Sequence, residues 1–217
     1  MSSSTRAKYN LTEDPQAVPQ FLLDAYVWRF HVEFLELNWE GMTATETEKA
    51  KNHVILKVDL IHEVEGIKGV RLDMRIGDTC SSTESDDGKT RYKLGKLIVH
   101  PVDYEKSSAR SVRTCSIETG RNFKFGEIII ALTASRIQDF HFVDIGDSIQ
   151  ALHLLKAEEL VGSRIIESFP DSPAIGNDIY RVLGLRFTPE GSVECPIDKG
   201  YFSTYQRQET GDMPYAR

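Results

Sequence analysis

Two stretches of this chain carry an aliphatic residue at every second position, and that period limits what they can become. Val54, Leu56, Val58 and Leu60 interleave with Ile55, Lys57 and Asp59, while Val70, Leu72, Met74 and Ile76 interleave with Arg71, Asp73 and Arg75. A period of two sends alternate side chains to opposite sides of an extended strand, whereas a helix would scatter them around its axis. The runs are separated by His62 to Gly69, with Gly66 and Gly69 available for a turn, so an antiparallel hairpin is expected. A third run sets Trp28, Phe30, Val32 and Phe34 against Arg29, His31 and Glu33 and predicts another strand with one apolar and one charged side.

Three more strands are expected. Arg91 to His100 changes phase at Gly95-Lys96, which reads as a bulge; Val112 to Ile117 is short; Gly126 to Leu132 is apolar on both sides, as a central strand would be. Asp14-Pro15 reads as the start of a short helix through Gln20 to Asp24, with Pro19 limiting it. Asp144 is the N-cap expected for a long helix carrying Ile145, Ile149, Leu152, Leu155 and Leu160, ended by Gly162. A second late helix starts at Ser172 or Asn177 and stops at Gly184. Gly77 to Thr90 reads as a loop, for which a plain connection is commoner than a lid. Strands early and helices late predict an α+β fold, a mainly antiparallel curved sheet or half-barrel packed with two or three helices. Residues 14–200 form the expected single domain, between a flexible N-terminus over 1–13 and an irregular C-terminal tail over 201–217.

Composition narrows the function classes. The chain has 26 Lys and Arg against 33 Asp and Glu, a net charge of −7, which argues against a nucleic-acid partner held through its phosphates. No apolar run approaches the roughly 18 residues that would span a bilayer, and the first residues lack the apolar stretch of a secretory signal, so a cytoplasmic protein is expected. Cys80, Cys115 and Cys195 are widely and irregularly spaced, as reduced thiols are. His100 with Asp103 and His141 with Asp144 are three residues apart, a spacing that points a strand pair to opposite faces, and no metal site is expected. No Gly-x-Ser-x-Gly turn, phosphate-binding loop or dinucleotide fingerprint occurs.

The candidate chemistry lies on the polar phase of the early strands: Arg29, His31, Glu33, Lys57, Asp59, Arg71, Asp73 and Arg75. On a flat sheet these groups are solvated, and pairs such as Asp59 with Arg71 contribute only about 0.2 to 1 kcal/mol each. On a curled sheet they converge in a cavity, where a His with an Asp can move protons. Asn52-His53 stands at the start of the hairpin's first strand, where an imidazole can face a cleft, although a surface histidine donating to a loop carbonyl is the commoner case. Ser148 lies near a helix N-terminus, where a hydroxyl is usually a cap rather than a nucleophile. Trp28, Phe30, Phe34, Trp39, Phe123, Phe125, Phe140, Phe142 and Tyr180 are enough to wall an apolar pocket, although most must be core.

Asn52-His53 opening a strand, Val70-Arg71-Leu72-Asp73-Met74, and a helix starting Asp144-Ile-Gly-Asp-Ser-Ile149 together resemble a family of uncharacterised small proteins from filamentous fungi. Its members show an Asn-His-Trp opening and a Val-Arg-Leu-Asn-Met strand; here Val54 replaces the Trp and Asp73 the Asn, and the likeness spans residues 50–185. That family is similar in layout to His-first relatives of papain-like hydrolases, but Ile175 to Tyr180 lacks the Cys that would complete the pair. Such proteins are often encoded beside enzymes of specialised metabolism. The resemblance therefore implies a cofactor-independent cyclase, isomerase or dehydratase acting on a small hydrophobic molecule. His53 and Asp73 would transfer protons, with His31 as a substitute for either, and Arg71, Trp39 and Tyr180 would hold the substrate. A homodimer is left open. The alternatives are a non-catalytic ligand-binding or protein-interaction domain, and a degenerate papain-like hydrolase, which requires Ser148 or a cysteine within reach of His53.

Overall fold

The computed structural model describes residues 7–37, 41, 43, 50, 52–76, 83–84, 91–134, 140–142, 185–194 and 200–202. The two late helices, Ser148, Trp39 and Tyr180 lie outside the described residues. Within them the chain forms mainly antiparallel sheet with two helices.

The strands are β1 (Tyr9–Asn10), β2 (Tyr26–Leu35), β3 (Val54–Val64), β4 (Ile67–Ile76), β5 (Thr83–Glu84), β6 (Arg91–Val102), β7 (Ser111–Lys124), β8 (Phe140–Phe142), β9 (Leu185–Thr188), β10 (Gly191–Glu194) and β11 (Gly200–Phe202). The main sheet has the order β11-β8-β6-β4-β3-β2-β7 and does not close into a barrel; β1 and β5 also pair with β6. A separate antiparallel hairpin joins β9 to β10.

The expected hairpin is β3–β4, with a tighter turn than its glycines suggested. Both strands run on until only Glu65 and Gly66 remain between them, at φ 50° and 76°. Two consecutive left-handed residues make the turn whose twist matches paired strands. Gly69 is not in the turn; it lies within β4 opposite Asp59. A Cβ there would stand 2.6 Å from the Val58 carbonyl oxygen and 2.9 Å from Lys57 Cε, so the missing side chain is room for Lys57.

β2 also departs from simple alternation. A register shift between Val27 and Arg29 keeps Val27 and Phe30 both buried and turns Trp28 out of the core row, with the Arg29 guanidinium 3.8 Å above its ring. In β6 the expected bulge is not found from Gly95 onward, where eight pairs to β4 run in unbroken register.

The expected strand over Gly126 to Leu132 is instead helix α2 (Phe125–Ala134). Its apolar residues serve either period, but Phe125, Ile128, Ile129 and Leu132 have the helical spacing and are the buried ones, while Ile130 is 68% exposed. α1 (Gln20–Leu23) starts after Pro19 and buries Leu22, so the stretch from Asp14 to Val18 leads up to the helix without joining it. The amide of Phe125 donates to Ala25 O at 2.8 Å and fixes the chain where α2 begins. In the stretch expected to fray, Tyr9–Asn10 instead pairs with Val99 and Ile98, and Leu11 is fully buried.

One side of the sheet is therefore an apolar core, with Phe30, Val32, Phe34, Leu56, Val58, Leu72, Val99 and Phe123 packed against Leu22 and the buried row of α2. Each large side chain contributes about 1.5 to 3 kcal/mol. The other side carries the charged residues.

Candidate functional site

Strand register sets out the charged side row by row. Ser116, His31, Lys57, Arg71 and His100 stand opposite one another across β7, β2, β3, β4 and β6. Basic groups directly opposite repel. The carboxylates of the flanking rows compensate: Asp59 and Asp73 reach back into this row, and Glu33 lies beside it.

These groups are not solvated. His31, Glu33, Lys57 and Asp59 are fully buried and Asp73 is 2% exposed. Desolvating a charge costs several kcal/mol unless it is paired, so the covering segment must bring partners. It does so through residues 103–110, which join β6 to β7. The Lys106 amide donates to both oxygens of Asp59, at 3.1 and 3.3 Å, and the Ser108 amide donates to Glu33 Oε2 at 3.0 Å. Lys106 takes a left-handed backbone at φ 59°, a strain of order 1 kcal/mol that its bonds to a buried carboxylate offset. Lys57 pairs with Asp59 beneath this cover, its ammonium 5.2 Å from the Tyr104 ring centre.

His31 is engaged through both ring nitrogens, Nε2 with Asp59 Oδ2 and Nδ1 with Ser116 Oγ, each at 2.8 Å. Burial pushes the Asp59 carboxyl up, but hydrogen bonds from His31 and Lys57 outweigh it and hold the group below its ordinary value. Burial pushes Lys57 down, with Asp59 opposing.

A second carboxylate–imidazole pair lies where β3 begins. Asn52 is 2% exposed and acts as a clamp: its Nδ2 donates to Leu35 O at 2.9 Å and Phe187 O at 3.0 Å, and its Oδ1 accepts from the Phe187 amide at 2.6 Å. The next residue, His53, meets Asp73 Oδ1 through Nε2 at 2.6 Å, with 26% of its side chain exposed. A carboxylate only accepts, so His53 is the donor. The other Asp73 oxygen takes Arg75 Nε at 2.7 Å and its terminal nitrogen at 2.6 Å, with Arg71 farther off at 3.7 Å. Burial pushes Asp73 up, yet the bond and charge of His53, followed by those of Arg75, hold it well below the usual carboxylate range.

His53 and Arg71 share a cavity of about 520 Å³ with Leu35, Glu36, Arg75, Tyr104, Ser108 and Arg110. Asp73 lies behind His53. Two buried polar atoms of the lining, Arg71 Nε and Ser108 Oγ, have no hydrogen-bond partner, Glu33 Oε1 is a third close by, and the buried Tyr104 hydroxyl lies against the Arg71 guanidinium. Each such group costs about 1 to 3 kcal/mol, and native structures keep few of them without a use.

Of the residues expected to act, the structure brings His53, Asp73 and Arg71 together; His31 is in the neighbouring pair, outside the cavity lining. Phe30, Phe34, Phe123 and Phe125 are core, so the expected aromatic wall is reduced among the described residues to Tyr104. Cys115 packs against the apolar core. Sequence reasoning missed Tyr104, Ser108 and Arg110, which belong to a segment with no period, and left Arg75 unassigned although it shares the phase of Arg71 and Asp73. Among the described residues no three His, Cys, Asp or Glu side chains are grouped to hold a metal ion, and no helix is long and apolar enough to cross a membrane.

No known protein family matches the chain, no curated protein is similar to it in sequence, and no solved structure matches its fold. The site is thus read from its own chemistry.

Proposed function

We propose that the cavity carries out a cofactor-independent proton transfer on a small carbonyl compound, as an isomerase, cyclase or dehydratase does. The observation that supports this most is the 2.6 Å contact of Asp73 with a histidine that lines the cavity. The His53 imidazole takes a proton from the carbon next to the carbonyl, and the C–H electrons pass into the enolate. The Tyr104 and Ser108 hydroxyls of the lining stand ready for the charge that develops on oxygen. Asp73 stays ionised and stabilises the imidazolium without taking the proton itself. His53 then returns the proton to a different carbon, giving an isomer; in a cyclisation the enolate carbon attacks an internal carbonyl, whose π electrons move to its oxygen, and that oxygen takes the imidazolium proton; in a dehydration the imidazolium proton leaves with a β-hydroxyl as water. Each route balances without an oxidant or reductant. His31, held at both nitrogens, has no part in it. The reading takes the sheet to curl as a half-barrel behind the covered charged side. We take the substrate to be a metabolite intermediate, as the resemblance to fungal specialised-metabolism proteins implies, with its apolar part against Leu35 and Tyr104.

The test is to incubate the purified protein with extract from cells lacking it, in deuterated buffer, and to follow the products by mass spectrometry. A deuterated product of otherwise unchanged mass, or one lighter by water, that vanishes with His53→Asn is expected. No His53-dependent change would sink the proposal, and a product heavier by water would point to hydrolysis.

A further inference from the structure

Resting on that reading, we infer that the substrate is an organic carboxylate as well as a carbonyl compound, its carboxylate seated by Arg71 and Arg110. The described lining holds three guanidinium groups, from Arg71, Arg75 and Arg110, against the single carboxylate of Glu36. Asp73 behind the lining offsets Arg75, and Glu33 lies beside Ser108, so the placement of Arg71 and Arg110, and not a net charge of the cavity, offers the seat for an anion. Arg75 is engaged by Asp73 through two nitrogens and belongs to the proton-transfer pair. Arg71 touches Asp73 only at 3.7 Å and keeps its buried Nε without a partner. Arg110 is exposed at the rim, at the end of the covering segment, whose position is set by its carbonyl accepting the Glu36 amide at 2.7 Å. A planar guanidinium fork matches a carboxylate in two-point contact. The buried hydroxyls of Tyr104 and Ser108 add two donors of neutral type, suited to the carbonyl oxygen rather than to a second full charge. The volume of about 520 Å³ is that of a small-molecule site. A carboxylate held on the arginine side leaves the adjoining carbons to reach His53.

Calorimetric titration of the whole protein with 4-oxo-4-phenylbutanoate, its methyl ester and inorganic phosphate tests this without requiring turnover. The keto acid is expected to bind at least about tenfold more tightly than the neutral ester, and Arg71→Met and Arg110→Met should each weaken it by about tenfold, the worth of one charge-assisted contact. Arg110 is exposed, so its variant reports on the site even where Arg71→Met fails to fold. Arg113→Met, at an exposed arginine outside the lining, should leave the affinity within about twofold. Equal binding of acid and ester, tighter binding of phosphate, absence of keto-acid binding, or indifference to Arg110→Met would overturn the carboxylate assignment. Arginine-dependent binding without His53-dependent turnover in the extract experiment would instead sink the proton-transfer reading and leave the anion site standing.

Discussion

Asp73→Asn removes one negative charge from the point where an imidazole and two guanidinium groups meet, and its cost follows from the contacts. The wild-type carboxylate makes charge-assisted bonds to His53 at 2.6 Å and to Arg75 at 2.6 and 2.7 Å from a position only 2% exposed. Two such partners are worth about 3 to 6 kcal/mol in full. That sum must be discounted: the side chains of His53 and Arg75 are 26% and 47% exposed and regain water, and the amide oxygen of Asn still accepts one bond. A loss of about 2 to 3 kcal/mol at pH 7 is expected, read from the urea midpoint and slope by circular dichroism. Acid supplies the control. Because the folded carboxyl lies well below its ordinary value, its contribution is complete above the unfolded value near 3.9 and declines as pH falls past it. By pH 3 the gap between wild type and variant should have narrowed by about 1.3 kcal/mol, whereas Asn has nothing to protonate. A gap below about 0.5 kcal/mol at pH 7, or one of constant size down to pH 3, would refute the assignment of Asp73 as the buried anchor of His53.

Asn52→Ala breaks three bonds and leaves buried backbone groups of Leu35 and Phe187 unmatched, so about 2 to 3 kcal/mol should be lost, with limited proteolysis cutting first near β9 and β10. Gly69→Ala places a Cβ against the Val58 carbonyl at 2.6 Å, where strand backbone cannot easily yield. A destabilisation of about 1 to 3 kcal/mol is expected by thermal melting, and an unchanged midpoint would contradict the close approach. Lys57→Met removes the ammonium buried beside Asp59, with His31 and the Lys106 amide remaining as partners; about 2 to 4 kcal/mol should be lost. Adding Asp59→Asn should cost less than the sum of the two single changes, and strict additivity would show that the pair is not coupled.

Period-two runs made β2, β3 and β4 legible, because each had a clear apolar phase to bury. The same logic failed at residues 126–132, where an unbroken aliphatic run carries no phase and only the helical spacing of Phe125, Ile128, Ile129 and Leu132 would have shown the difference. The turn at Glu65-Gly66 lies within the expected stretch from His62 to Gly69 but is tighter, since a glutamate with positive φ leaves no mark in composition. Alternation also groups side chains by face without saying what lies over that face. Residues 103–110 look like an ordinary polar connection, yet they meet Asp59 and one oxygen of Glu33 through backbone amides, which are the same in every sequence. His53, Asp73 and Arg71 could be nominated as residue types on suitable strands; the Asn52 clamp could not, because its partner is 135 positions away.

That distance bears on biosynthesis. The strand that follows His53 is translated early, but the amide that fastens Asn52 and the ring that meets Phe34 edge-on, centroids 5.0 Å apart, both belong to Phe187. A nascent chain emerging from the ribosome can pair β2 with β3 long before then, so ligand binding should be gained late in synthesis and lost on truncation just before Leu185.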